Sequence, residues 1–327
     1  MYPAPFLPFF LLDSIPMIIL TDNITFAQRC IPQSDNWQDC KISELRPAEA
    51  TLARELFKSS SIMKTEVSAG EHWDYLFAME SAAQSQFDML ARLAVSDVEL
   101  PDRTLCCAEY GDEFHGFKSR SWEACRGNIH LSALIKPERK ISGAAVGFII
   151  AAVIAALQTV ETFDLQGDVP GIKWVNDILV RGAKVGGVLA RLQTQGSNIE
   201  SAVVGIGLNV EQKPAVERDA YVPEVAALSD FSSDPDTCRH ADAFPILIDS
   251  LGAHLQDLCQ GNFNGLLDLY RQHSLILGRV VTICEDTREP GSQVIAQGLV
   301  ESIGPSLELY IKGQEKPVSK GRLILLN

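Results

Sequence analysis

Residues 171–189 read GIKWVNDILVRGAKVGGVL and place Lys173, Lys184, the pair Asn176-Asp177 and the pair Gly186-Gly187 in one short unit. The apolar residues Ile178, Leu179 and Val180 predict a strand, and Arg181-Gly182-Ala183 a hairpin turn. Lys184 then opens the return strand, in which Val188 and Leu189 supply core contacts. Gly186 and Gly187 have no side chains, so a ligand can approach that backbone closely. A hairpin that presents an ammonium group beside bare backbone suits a carboxylate or phosphate ligand.

Other blocks accompany the hairpin. Residues 203–210 read VVGIGLNV and residues 126–132 read RGNIHLS. Near the end come LGRVVTI at 277–283, AQGLVESI at 296–303 and a last strand at 322–326. In this order and spacing the chain resembles the biotin protein ligases over roughly residues 72 to 327. Their signature is Lys-Trp-Pro-Asn-Asp followed by a lysine and a small-Gly pair, with Val175 here in place of the proline. The 203–210 block is similar to the family's Gly-Ile-Gly-Ile-Asn-Val strand. The C-terminal blocks look like the small SH3-like barrel that ends many of these ligases.

The resemblance implies an α+β fold: a mixed-sheet biotin/lipoate ligase catalytic domain at 71–275, a C-terminal SH3-like β-barrel at 276–327, and an N-terminal extension of unknown role at 1–70. It implies that ATP and Mg2+ adenylate biotin, and that biotin passes to a lysine of the biotin carboxyl carrier domain of a biotin-dependent carboxylase. Lys184 falls at the family's active lysine, bridging the acyl carboxylate and the α-phosphate. Lys173, beside Trp174, is expected to contact phosphate. Asn176 and Asp177 are expected to orient nucleotide and magnesium, with Asp177 as the metal ligand, or to activate the incoming amine. Asn209 is expected to serve the nucleotide. Asn128 falls in the family's Gly-Ala-Asn strand.

The loop at 110–122, YGDEFHGFKSRSW, departs from the family. Relatives carry a glutamine pair after the tyrosine, then a Gly-Arg-Gly-Arg-x-Gly-Arg-x-Trp run. Gly116, Arg120 and Trp122 keep that pattern. His115 and Phe117 stand where arginines are expected, and Gly111 and Asp112 where the glutamines are. Arginine grips phosphate with a planar fork that phenylalanine lacks. One such charged hydrogen bond is worth about 1.5–3 kcal/mol, which His115, Lys118 or Arg120 would have to restore. Upstream, residues 79–84 read MESAAQ where the family has Asp-Ser-Thr-Asn. Ser81 matches, either hydrogen-bonding the acyl head group or capping a helix. The pattern supports acyl-adenylate chemistry more firmly than biotin itself. A lipoate or octanoate ligase, and a non-catalytic acyl or adenylate binder, stay open.

The elements that must position these residues follow from periodicity. Residues 47–58 predict a helix, 72–93 a strand then a helix, 103–110 and 127–135 strands, 143–163 a helix, and 243–274 mostly helix. Strands interrupted by helices, with hairpins present, indicate a mixed sheet. Apolar residues make up 46% of 327 residues, enough for a sizeable core. The net charge of −14 argues against an electrostatic nucleic-acid footprint. Eight cysteines without a CxxC pair argue against a zinc site or a disulfide framework and point to a reducing, cytoplasmic setting. Prolines and Asp13 interrupt the apolar run at 3–12, so no signal peptide is expected. Residues 141–160 lack charge and are long enough for a membrane span, but their Ala and Gly content predicts a helix buried against a sheet, with no membrane partner. A homodimer fits the resemblance, though no motif decides it.

Overall fold

A computed structural model of the chain describes residues 16–68, 71–117, 120–216, 224–285 and 293–325. Lys118, Leu326 and the apolar run at 3–12 lie outside the described residues. The chain begins with β1 (Met17–Thr21), α1 (Ile24–Cys30), β2 (Gln38–Lys41), α2 (Pro47–Leu56) and β3 (Ser61–Val67). It continues through β4 (Tyr75–Ala82), α3 (Gln86–Leu93), β5 (Thr104–Gly111), β6 (Ile129–Ile135) and α4 (Ala144–Glu161). Next come β7 (Gly171–Lys173), β8 (Asp177–Val180), β9 (Ala183–Gln195) and β10 (Asn198–Leu208), then α5 (His240–Cys259) and α6 (Phe263–Gln272). Strands β11 (Val280–Cys284), β12 (Val294–Ile303), β13 (Leu309–Ile311) and β14 (Arg322–Leu325) complete it.

Ten strands form one mixed sheet in the order β2-β3-β1-β4-β5-β6-β10-β9-β8-β7. Strand β4 runs parallel to β1 and β5, and the other pairs are antiparallel. The central strands are buried on both faces, which is why β4 and β5 read as apolar runs rather than alternations. Leu105 and Cys107 enter one core cluster, whereas Cys106 and Ala108 enter the other. Apolar side chains of α1, α4, α5 and α6 cover the first face, and those of α2 and α3 the second. The α+β fold class expected from the sequence is the one found.

Two expectations change. Residues 1–70 were set apart from the catalytic domain, yet the sheet runs through that boundary: Met17 pairs with Val67, and Ile18 with Tyr75. The apolar strand MIIL has both neighbours in the main sheet, so the described part of this segment belongs to that sheet. Ser81 pairs with Tyr110 inside β4 rather than starting a helix, and Ser85 precedes α3 instead.

Helix α4 is the one described helix long and apolar enough to cross a bilayer, and 67% of it is buried within the molecule. Its alanines pack it against the sheet and α5, as the composition predicts. The C-terminal strands form an antiparallel sheet in the order β13-β12-β11-β14, in agreement with an SH3-like unit. Its core joins that of the main sheet. The Trp174 indole donates to the Leu307 carbonyl at 2.7 Å, and Arg271 Nε to that of Ile303 at 2.9 Å.

Candidate active site

The hairpin between β8 and β9 turns through Arg181 (φ 49°) and Gly182 (φ 80°), with Val180 paired to Ala183. Two positive φ angles in a two-residue loop make the turn that suits the right-handed twist of the strands. The register then slips: Leu179 pairs with Lys184, but Ile178 pairs with Gly186, leaving Val185 as an extra residue. This bulge has a chemical consequence. Strict alternation would set Lys184 and Gly187 on opposite faces. One extra residue restores them to the same face, and Gly187 lies opposite Asp177. Lys184 Nζ accordingly donates to Asp177 Oδ1 at 2.6 Å. A Cβ on Gly187 would lie 3.3 Å from Lys184 Nζ and 3.4 Å from Asp177 Oδ1. The glycine therefore makes the room that the ion pair uses.

The segment after β5 folds back over this pair. Gly111 bridges Ala124, and His115 bridges Ser121. Gly116 N–H donates to the Arg120 carbonyl at 2.7 Å, and Trp122 N–H to that of Phe114 at 3.0 Å. The Trp122 indole donates to His130 Nδ1 at 3.2 Å. His130 Nε2 lies 3.0 Å from the Cys125 carbonyl, so it bears the proton. Burial lowers the His130 pKa to about 4, keeping the ring neutral and able to accept from Trp122. Gly207 lies beneath Trp122: a Cβ there would come within 2.5 Å of the indole.

His115 has the opposite character. Its Nε2 faces an Asp88 carboxylate oxygen, and its Nδ1 faces the Gly116 carbonyl at 2.9 Å. Both partners only accept, so the ring is satisfied when doubly protonated. Burial pulls its pKa down, but the Gly116 and Asp88 hydrogen bonds and the Asp88 charge together raise it above the ordinary 6.5. A native pKa above the unfolded one stabilises the fold fully below about 6.5. That stabilisation is lost as pH rises through the native value. Asp88→Asn should lower the His115 pKa in an NMR titration and weaken this pH dependence, leaving the part due to the Gly116 carbonyl. An unchanged titration would mean that the two do not pair.

Hairpin and loop enclose a cavity of about 100 Å³. Lys184, Asp177 and Asn176 line one part, and His115, Arg120 and Trp122 another, with Gly187, Gly205 and Gly207 between them. Gly116 and Phe117 also reach it. Nine of the residues expected from sequence thus share one cavity. Asn176 is fixed by donating to the Val188 carbonyl at 2.6 Å.

The remaining candidates lie elsewhere. Lys173 is buried in β7, away from the cavity lining. Trp174 is engaged by Leu307. Asn128 Oδ1 accepts from the backbone N–H groups of Val210, Glu211 and Gln212, so it clamps the chain after β10. Asn209 is fully buried and donates to the Ala226 carbonyl at 3.0 Å. Gly186 packs below the Gly207 carbonyl. Ser81 is outside the cavity lining. Trp174 and Asn128 make structural contacts and Lys173 is buried, whereas Asn209 keeps a buried Oδ1 with no hydrogen-bond partner among the described residues.

Three contributors escaped the sequence reading. Asp88 holds His115, and His130 holds Trp122. Gln86, only 2% exposed, is among the cavity-lining residues, and its buried Nε2 has no hydrogen-bond partner among the described residues. The one available signal was a polar Gln and Asp flanking Phe87 in the first turn of an otherwise apolar-faced helix.

Comparisons with known proteins bear on the family and the fold. The Biotin/lipoate A/B protein ligase family profile matches residues 93–209. The Bacillus subtilis bifunctional ligase/repressor BirA is 31% identical over 153 residues, 46% of this chain and 44% of that protein. The chain therefore spans less than half of that relative. A biotin–[acetyl-CoA-carboxylase] ligase of Mycobacterium tuberculosis is 29% identical over 266 residues, covering 80% of this chain and 92% of that one. Among solved structures, a biotin protein ligase from Aquifex aeolicus in complex with biotin and ATP superposes with a TM-score of 0.58. It is 19% identical, covers 77% of this chain and 98% of its own, and so bears on the fold alone. Residues 93–209 thus match the biotin/lipoate A/B protein ligase family, and the relatives aligned with the chain are biotin ligases by name.

Proposed function

We propose that the protein is an ATP-dependent biotin–protein ligase that makes biotinyl-AMP and passes biotin to a lysine of a biotin carboxyl carrier domain. The Lys184–Asp177 pair in the cavity is the observation that carries this reading. The relatives' names, a biotin–[acetyl-CoA-carboxylase] ligase among them, support substrate and carrier.

In the first step a biotin carboxylate oxygen attacks the α-phosphorus of ATP and pyrophosphate leaves. In the second the carrier amine attacks the acyl carbonyl and AMP leaves. Negative charge gathers on the phosphoryl oxygens and then on the acyl oxygen, so preorganised cations are the main protein contribution. One Lys184 proton is committed to Asp177, leaving two to donate to the acyl carboxylate and the α-phosphate. Arg120 supplies a second positive charge in the cavity, and His115 adds another when its ring is doubly protonated.

Magnesium prefers oxygen ligands, and few protein ones suffice when phosphates supply the rest. Asp177 fits that need with the carboxylate oxygen that Lys184 does not use. Bound there, the ion would neutralise phosphate charge. The unpartnered amide of Gln86 fits an acyl group with a polar head such as biotin better than a purely aliphatic chain.

Acid-quenched detection of acyl-AMP tests this directly, with Mg-ATP and biotin, lipoate or octanoate in parallel. Biotinyl-AMP is the expected product. Lipoyl- or octanoyl-AMP would keep the chemistry and change the substrate. No adenylate from any of the three would leave a binding protein.

A further inference from the structure

Away from the cavity, three side chains that are distant in sequence meet in the core. Cys30 ends α1, Cys107 lies in β5, and His240 opens α5. One ligand atom from each lies within 4.8 Å of the other two. All three residues are at most 1% exposed. Among the described residues this is the one such cluster of three or more metal-ligating side chains. The cysteine spacing gave no hint of it and argued against zinc, because each ligand comes from a different element.

The histidine is set up as a ligand. Phe26 and Phe244 hold its ring, with centroids 5.6 and 5.3 Å away. Its Nδ1 lies 3.3 Å from the Arg29 carbonyl, which can only accept, so Nδ1 bears the proton. Nε2 then presents a lone pair, and it is buried with no hydrogen-bond partner. An imidazole whose other nitrogen donates to a backbone carbonyl is the usual arrangement of a metal-binding histidine. An unpaired buried acceptor costs about 1–3 kcal/mol, and a bound cation would relieve that cost.

We propose that Cys30, Cys107 and His240 form a buried structural site for one thiophilic d10 cation, zinc(II) by charge. The proposal is independent of the ligase reading. Two thiols lose their protons as the ion binds, and two thiolates with one neutral imidazole balance the charge of Zn2+. A neutral complex suits an apolar core, where net charge is costly. Zinc bond lengths of about 2.0–2.3 Å place ligand atoms roughly 3.3–3.8 Å apart. Separations within 4.8 Å need to close by at most about 1–1.5 Å, and a water would complete the four-coordinate zinc shell. The ion would staple α1 and α5 to the sheet. Copper(I) shares this donor preference and is the competing ion.

The test uses the full chain, reduced and stripped of metal, dialysed against Zn2+ alone and separately against Cu+ alone. Elemental analysis should show one equivalent of zinc retained, with about two protons released per ion and a raised Tm. The Cys30→Ala/Cys107→Ala double variant should retain none, whereas Cys40→Ala should behave like the unaltered chain. Retention of copper but not zinc would overturn the assignment to zinc. No retention of either, a Cys30–Cys107 disulfide under the same conditions, or equal retention by a double variant with native circular dichroism would overturn the site. Should the double variant fail to fold, alkylation mapping of the unaltered chain decides, in denaturant just sufficient to expose both thiols of the stripped protein. Zinc must protect Cys30 and Cys107 specifically there, and equal labelling with and without zinc would count against the site.

Discussion

Lys184→Ala should lower the rate of acyl-adenylate formation by about 10²–10³-fold, the usual effect of deleting one preorganised charge-stabilising donor. The structure localises the effect. Lys184 Nζ is held by Asp177 at the cavity wall, and the β9 bulge fixes which face it occupies. No other ammonium group among the described residues lines that cavity. Arginine should not restore the rate, because its planar fork cannot occupy the small volume that Gly187 leaves beside Asp177. Stability should change little, by about 1 kcal/mol, since the pair is partly solvated. Single-turnover adenylate formation and thermal unfolding of the same preparations separate the two effects. A variant that still adenylates within a few-fold of the unaltered chain would remove Lys184 from the chemistry. A variant that loses only ligand affinity would indicate a binder.

The sequence made the hairpin legible because its signals are local. An apolar strand, a turn rich in Arg-Gly and a glycine pair lie within one short stretch, and the structure reproduces each. The central helix was legible for a similar reason, since alanine content separates a core helix from a membrane span. Long-range pairing was not legible. Nothing in MIIL at 17–20 says that it lies between strands β3 and β4, because strand partners are chosen by the whole sheet rather than by neighbours in sequence. The parity change at Val185 was equally hidden. Lys184 and Asp177 were each singled out, but their mutual hydrogen bond depends on a bulge that no residue type announces. Trp174, Asn128 and Asn209 show the converse. They match family positions, and here Trp174 and Asn128 hold other segments of the chain, while Asn209 donates to Ala226 and keeps a buried Oδ1 with no partner among the described residues. Motif membership records that a residue is needed, not whether it touches ligand.

Gln86→Leu should move stability and substrate recognition in opposite directions. In the free protein the buried Gln86 Nε2 has no partner among the described residues, and such a group costs about 1–3 kcal/mol. Leucine fills similar volume without that cost, so the variant should melt higher, by roughly 2–6 °C. If the amide donates to the polar head of biotin, binding relieves the same cost, and the variant forfeits it. The KM for biotin should then rise roughly 10–100-fold, with kcat nearly unchanged because the contact is remote from the reacting carboxylate. An acyl chain without a polar head should be affected much less. The ratio of biotin to octanoate adenylation therefore separates recognition from general damage to the cavity. A lower Tm would show that the amide is already satisfied in the fold. A higher Tm with an unchanged KM for biotin would place the acyl head elsewhere in the cavity and leave Gln86 as a destabilised core residue. The combination of a higher Tm and a raised biotin KM follows only if the group left unpaired by folding is the one that the substrate pairs.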